Sequence, residues 1–80
     1  VYILKCNDNT YYTGCSHDLN ARLKRHNKGQ VTYTSPRLPV RLVHQSVFYD
    51  KYKAFEFEKY LKSGSGRAFA KKRLYTPDKL

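Results

Sequence analysis

The sequence predicts a small α+β domain: a three-stranded, mostly antiparallel sheet flanked by helices, in the order β-β-α-β-α-α. Two short runs rich in β-branched and aromatic residues flank a turn cluster near the N-terminus, and two later stretches carry apolar residues at the three- and four-residue spacing of a helix face. Length supplies the third observation. Eighty residues make one domain, residues 1–80, and a chain this short buries only about 60–65% of its unfolded surface, so the core must be compact.

Taken in order, Val1 to Cys6 reads as the first strand, Asn7-Asp8-Asn9 as a turn, and Thr10 to Thr13 as the second strand of a hairpin that Gly14 closes. A turn centred near Asn7 would bring Tyr2 and Tyr12 close across the sheet. From Asp18 to Lys28 the pattern is helical. Ser16 or Asp18 supplies its cap, Gly29 its stop, and Lys24, Arg25 and Lys28 lie near the negative end of its dipole. Gln30 to Pro39 has no periodicity and carries two prolines, so it is expected as a loop that leads into a strand at about Val40 to Phe48. Asp50 then caps a second helix running to Lys62. Ser63-Gly64-Ser65-Gly66 is expected to interrupt the chain before a short third helix, Arg67 to Leu74, with Pro77 ending regular structure.

Sixteen Lys and Arg against six Asp and Glu give a net charge of +10, the electrostatic footprint of a protein that meets a polyanion. The excess is uneven. Arg22, Lys24, Arg25 and Lys28 crowd the first helix, while Lys59, Lys62, Arg67, Lys71, Lys72 and Arg73 follow Glu58 with no acid before Asp78. A phosphate-binding track accounts for so large an excess better than a solvated helix face does, and nucleic acid is the leading partner. No long apolar run, secretory h-region or lipidation motif accompanies the charge, which argues against a membrane and for a soluble intracellular protein. Val1 stands where a methionine would open a chain, so at least one residue is expected to precede it. Cys6 and Cys15 are too few for a zinc cluster or a disulfide scaffold and are expected as reduced residues at strand ends.

Two polar constellations fall where periodicity calls for core residues. Arg22 and His26 share a helix face with Leu19 and Leu23, and Glu58 shares one with Ala54, Phe57 and Leu61. Burying an unpartnered charge costs several kcal/mol by rough estimate, so these groups either neutralise one another or are held for a ligand, a metal or chemistry. Of the other acids, Asp18 and Asp50 serve as caps, Asp8 lies in a turn and Glu56 falls on another helix face, which leaves Glu58 as the single committed carboxylate. Its alternative is a structural ion pair with Arg22 or a neighbouring lysine.

With these residues laid out, Val1-Tyr2-Ile3, Tyr12-Thr13-Gly14, Arg22, His26 and Glu58 together resemble the GIY-YIG nuclease domain over essentially the whole chain. The likeness is nearest to the small stand-alone bacterial members, whose runs Tyr-x-Gly, Asp-Leu-x-x-Arg and His-Asn-x-Gly are seen at Tyr12 to Gly14, Asp18 to Arg22 and His26 to Gly29. Glu58 followed by Leu61-Lys62 matches the family's Glu-x-x-Ile-Lys, and Thr13 stands where the second motif usually has isoleucine. The resemblance implies a metal-dependent endonuclease that hydrolyses DNA phosphodiester bonds, as excision-repair, homing and some restriction enzymes of the family do.

It also implies roles. Tyr2 and Tyr12 would line the site, one of them orienting or deprotonating the attacking water. A free phenol has a pKa of about 10 and an imidazole about 6.5, so Tyr2, Tyr12 and His26 all stay open as the base. Arg22 would grip phosphate through its planar fork. Glu58 would bind one Mg²⁺ or Mn²⁺, a hard ion commonly held by one or two carboxylates plus water and substrate phosphate. The alternative is a non-catalytic nucleic-acid-binding module that retains the fold. A bare catalytic unit would depend for selectivity on Lys24, Arg25, Lys28, Lys62, Arg67, Lys71 and Lys72, on Tyr33, Thr34 and Arg37 in the loop, or on a protein partner. Branched, flapped or single-stranded DNA, with RNA as the other polymer, is the expected substrate, met in the bacterial cytoplasm or at the nucleoid.

Overall fold

The computed structural model describes residues 1–75, so the expected end of regular structure at Pro77 lies outside the described residues. Strands β1 (Tyr2–Lys5) and β2 (Tyr11–Gly14) are followed by helix α1 (Leu19–Asn27), strand β3 (Arg41–Gln45), helix α2 (Lys51–Leu61) and helix α3 (Gly64–Arg73). This is the expected order. The sheet is antiparallel throughout in the order β2-β1-β3.

The hairpin turns because its polar residues satisfy the backbone locally. Asn9 takes a left-handed φ of 67°, which asparagine tolerates better than most residues. Asp8 Oδ1 accepts from both the amide and the hydroxyl of Thr10, at 3.1 and 2.6 Å. The register pairs Tyr2 with Gly14 and Leu4 with Tyr12, so Tyr2 and Tyr12 are diagonal neighbours on one face rather than directly opposite.

Central strand β1 divides the molecule. Val1 and Ile3 point to one side, where with Ala54, Leu61 and Ala70 they form the core, backed by Tyr11, Val43 and Phe57. Helices α2 and α3 therefore cover that face. Alternation sends Tyr2, Leu4, Tyr12 and Gly14 to the other side, where α1 and the loop after it provide the cover. Asp18 caps α1 through the Ala21 amide at 3.1 Å, and Asp50 caps α2 through the Tyr52 amide at 2.8 Å.

Two boundaries differ from expectation. Strand β3 ends at Gln45, short of Phe48, because after Ser46 bonds to the backbone of Val1 in both directions, the chain leaves the sheet to reach the Asp50 cap. Helix α3 begins at Gly64, so the Ser-Gly-Ser-Gly run is a joint rather than a gap. Ser63 Oγ accepts from the Gly66 amide and donates to the Tyr60 carbonyl. A methyl group at Gly66 would lie 1.7 Å from that carbonyl oxygen, so only glycine lets the two helices approach this closely. Cys6 and Cys15 are unbridged, each just past a strand end.

Candidate active site

On the Tyr2 face the sheet and α1 bring four expected residues together. The Tyr2 hydroxyl is 3.0 Å from His26 Nε2, and Arg22 Nε donates to the same phenol oxygen at 3.4 Å. Arg22 and His26 reach one phenol because they lie one turn apart on α1. The Tyr12 ring stands edge-on to His26 with centroids 4.9 Å apart, and 6.2 Å from the ring of Tyr2. Gly14 makes room for this: a Cβ there would sit 2.5 Å from both Cζ and the hydroxyl of Tyr2.

Depth separates the four. Tyr2 is 1% exposed and His26 0%, whereas Tyr12 and Arg22 are half-buried and reach the surface. Burial pushes the Tyr2 phenol above its usual pKa, against the pull of the Arg22 hydrogen bond. The same burial, then the charges of Arg22 and Arg25, hold His26 below the ordinary imidazole value. Hydrogen bonds to Tyr2 and Tyr12 raise Arg22 further, so its charge is permanent. A neutral imidazole, two phenols and a fixed cation can move a proton inward while binding an anion outside.

Glu58 is on α2, and its side chain is 23% exposed. Expected as an interior acid, it instead makes an ion pair with Lys62 Nζ at 3.0 Å, the neighbouring-lysine alternative. Its face neighbours Ala54 and Leu61 are buried as the periodicity implies, but the Glu58 side chain itself stays part-exposed. Among the described residues no group of three or more His, Cys, Asp or Glu is poised to share a metal ion. A lone part-exposed carboxylate still suits a hard divalent ion that keeps its waters and takes further oxygens from a substrate phosphate.

Lys62 also lines a hollow of about 650 Å³ together with Tyr12, Thr13, Tyr33, Arg67 and Lys71. The hollow therefore joins the tyrosine cluster to the basic side of α2 and α3. Lys24, Arg25, Lys28 and Lys72 lie along their helices at the surface, all four exposed. Two loop residues expected on this surface serve other ends. Arg37 stacks on Tyr33 at 4.1 Å and lies 3.0 Å from Asp8, an ion pair whose angle falls short of a hydrogen bond. Thr34 is 0% exposed, with its hydroxyl 2.7 Å from His26 Nδ1. No sequence signal could have found that burial, since a threonine in an aperiodic loop carries no face.

The GIY-YIG catalytic domain model matches residues 1–73. A UPF0213 protein of Staphylococcus aureus strain Mu3 is 45% identical over 64 residues, 79% of this chain and 78% of that protein. UPF0213 proteins of strains N315 and MW2 match to the same extent. No solved structure matches the chain. A family match across nearly the whole chain agrees with the fold and with the tyrosine, arginine and histidine gathered on one face: the chain belongs to the GIY-YIG family.

Proposed function

We propose that the protein is a metal-dependent endonuclease that hydrolyses DNA phosphodiester bonds in the bacterial cytoplasm. The observation that carries the reading is the hydrogen-bonded group of Tyr2, Arg22 and His26 packed by Tyr12, which also lines a hollow with Lys62, Arg67 and Lys71. Arg22 grips the scissile phosphate and opposes the charge that builds on it as water attacks. Tyr12, the accessible phenol, meets that water. As the water oxygen bonds to phosphorus and the bond to the leaving oxygen breaks, the water proton goes to Tyr12, the Tyr12 proton to Tyr2 and the Tyr2 proton to His26 Nε2. The leaving oxygen takes a proton from solvent, and the incoming phosphate offsets the Arg22 charge that, after burial, depresses the imidazole. Glu58 would hold Mg²⁺ or Mn²⁺, whose contribution is Lewis-acid polarisation of the phosphate.

Branched, flapped or single-stranded DNA is the substrate we propose, met by the basic residues Lys62, Arg67 and Lys71 of the hollow. One observation favours a second reading, a nucleic-acid-binding module without turnover: Glu58 is already engaged by Lys62. Incubation with duplex, single-stranded, flapped and four-way DNA, with Mg²⁺ or chelator, separates the two. Metal-dependent cleavage that disappears in Glu58→Ala and Arg22→Ala supports the nuclease. Salt-sensitive binding without cleavage by any of the proteins supports the module.

A further inference from the structure

We propose that Thr34 is a positioning residue: its buried hydroxyl holds His26 in the Nδ1–H tautomer and so turns the Nε2 lone pair toward the Tyr2 phenol. One tautomer suits both ends of the network, giving the Thr34 and Tyr2 protons an acceptor each. Thr34 has one hydroxyl proton, and the Val31 carbonyl oxygen, 3.4 Å away, can only accept it. With that proton on Val31, the Thr34 lone pairs face His26 Nδ1 at 2.7 Å and Nδ1 donates to them. At the other end, Arg22 Nε occupies one side of the Tyr2 oxygen at 3.4 Å. In the same tautomer the phenol proton goes to His26 Nε2 at 3.0 Å, whereas an Nε2–H would crowd a second donor onto the oxygen that Arg22 already approaches.

A free imidazole favours the opposite tautomer, so this one needs a holder. Among the described residues Thr34 is the partner of Nδ1: Tyr2 meets the other nitrogen, Tyr12 from β2 meets the ring edge-on, and Arg22 and Arg25 act on it through charge. The loop in turn is built to carry Thr34. A 3-10 turn over Ser35–Arg37 starts directly after it, with the Ser35 amide on the Val31 carbonyl and the Arg37 amide on the Thr34 carbonyl. The Asn7 amide fastens that turn to the hairpin through the Arg37 carbonyl at 2.9 Å. When the Tyr2 O–H bond breaks, Nε2–H forms and Tyr2 takes the Tyr12 proton in exchange, leaving an imidazolium whose Nδ1–H still rests on Thr34. That catalytic use rests on the nuclease reading; the tautomer does not.

Long-range proton–nitrogen spectra of ¹⁵N-histidine protein at neutral pH, with His17→Gln and His44→Gln for assignment, read the tautomer directly. Wild type and Thr34→Ser should show His26 protonated at Nδ1 and bare at Nε2, and Thr34→Val should lose that signature. An Nε2–H tautomer in wild type, or an unchanged Nδ1–H in Thr34→Val, would overturn the proposal. Should Thr34→Val fail to fold, the wild-type and Thr34→Ser spectra decide on the same criterion. Single-turnover cleavage should fall between about tenfold and 10⁴-fold in Thr34→Val and recover in Thr34→Ser. Equal rates in wild type and Thr34→Val would remove the role in catalysis. Absence of cleavage by every protein would sink the nuclease reading while leaving the spectra to decide on Thr34.

Discussion

Replacing Gly14 with alanine strikes the centre of the site while removing no reacting group. Gly14 pairs with Tyr2 across the hairpin, and the added methyl would lie 2.5 Å from both Cζ and the hydroxyl oxygen of Tyr2. Carbon atoms in contact rest about 3.5–4.0 Å apart, so the ring must retreat by roughly 1 Å. Tyr2 is 1% exposed, with Tyr12 and His26 against its ring. It has nowhere to go without stretching the 3.0 Å contact to His26 past hydrogen-bond range. Overpacking costs about 1–3 kcal/mol and the broken buried hydrogen bond about 1 more, a loss of about 2–4 kcal/mol in all. For a domain of this size that lowers Tm by roughly 10 °C or more. Urea unfolding of wild type, Gly14→Ala, Tyr2→Leu and the double variant isolates the cause. If the clash is with the phenol ring, the Gly14→Ala penalty shrinks by at least about 1 kcal/mol in the Tyr2→Leu background. Equal penalties in the two backgrounds would show that the phenol ring is not what the methyl strikes.

Other outcomes follow from the same geometry. Gly66→Ala should prevent stable folding, because its methyl meets backbone, whereas Gly64→Ala meets nothing within 4 Å and should stabilise the protein by up to about 1 kcal/mol in the same melts. His26 and His44 are held below the ordinary imidazole pKa in the fold, chiefly by burial. The unfolded chain therefore takes up protons first: stability is full above about pH 6.5, is lost as pH falls through the folded values, and should fall less steeply in His26→Gln. Because its pair with Lys62 is part-exposed, Glu58→Gln should change stability by less than about 1 kcal/mol while abolishing metal-dependent cleavage. Alanine at Lys62, Arg67 or Lys71 should weaken DNA binding and cut the slope of log K against log salt by about 0.7–0.9 for each phosphate left without its cation.

Most of the fold can be read from local chemistry. The caps Asp18 and Asp50 act as their spacing implies, and Arg22 and His26 reach one phenol because one turn of helix separates them. What the sequence hides is depth and long-range company. Periodicity put Glu58 on an inward face and within one turn of Lys62, but only the assembled fold determines that its side chain stays 23% exposed while Ala54 and Leu61 beside it are buried. Glycines at 64 and 66 read as breakers, because the close approach that makes Gly66 necessary exists only once α2 and α3 are packed. Thr34 reads as a polar loop residue until the loop folds back over α1 and buries its hydroxyl on His26. The basic excess pointed to a polyanion partner, and three of its members do line one hollow with Tyr12.

Single-turnover cleavage by Tyr12→Phe, measured beside its DNA affinity, asks whether the accessible phenol carries the proton of the attacking water. Cleavage should slow by about 10²–10⁴-fold with Kd within about twofold of wild type, since only the proton-carrying hydroxyl is removed. An unchanged cleavage rate, or cleavage and binding abolished together, would contradict that role.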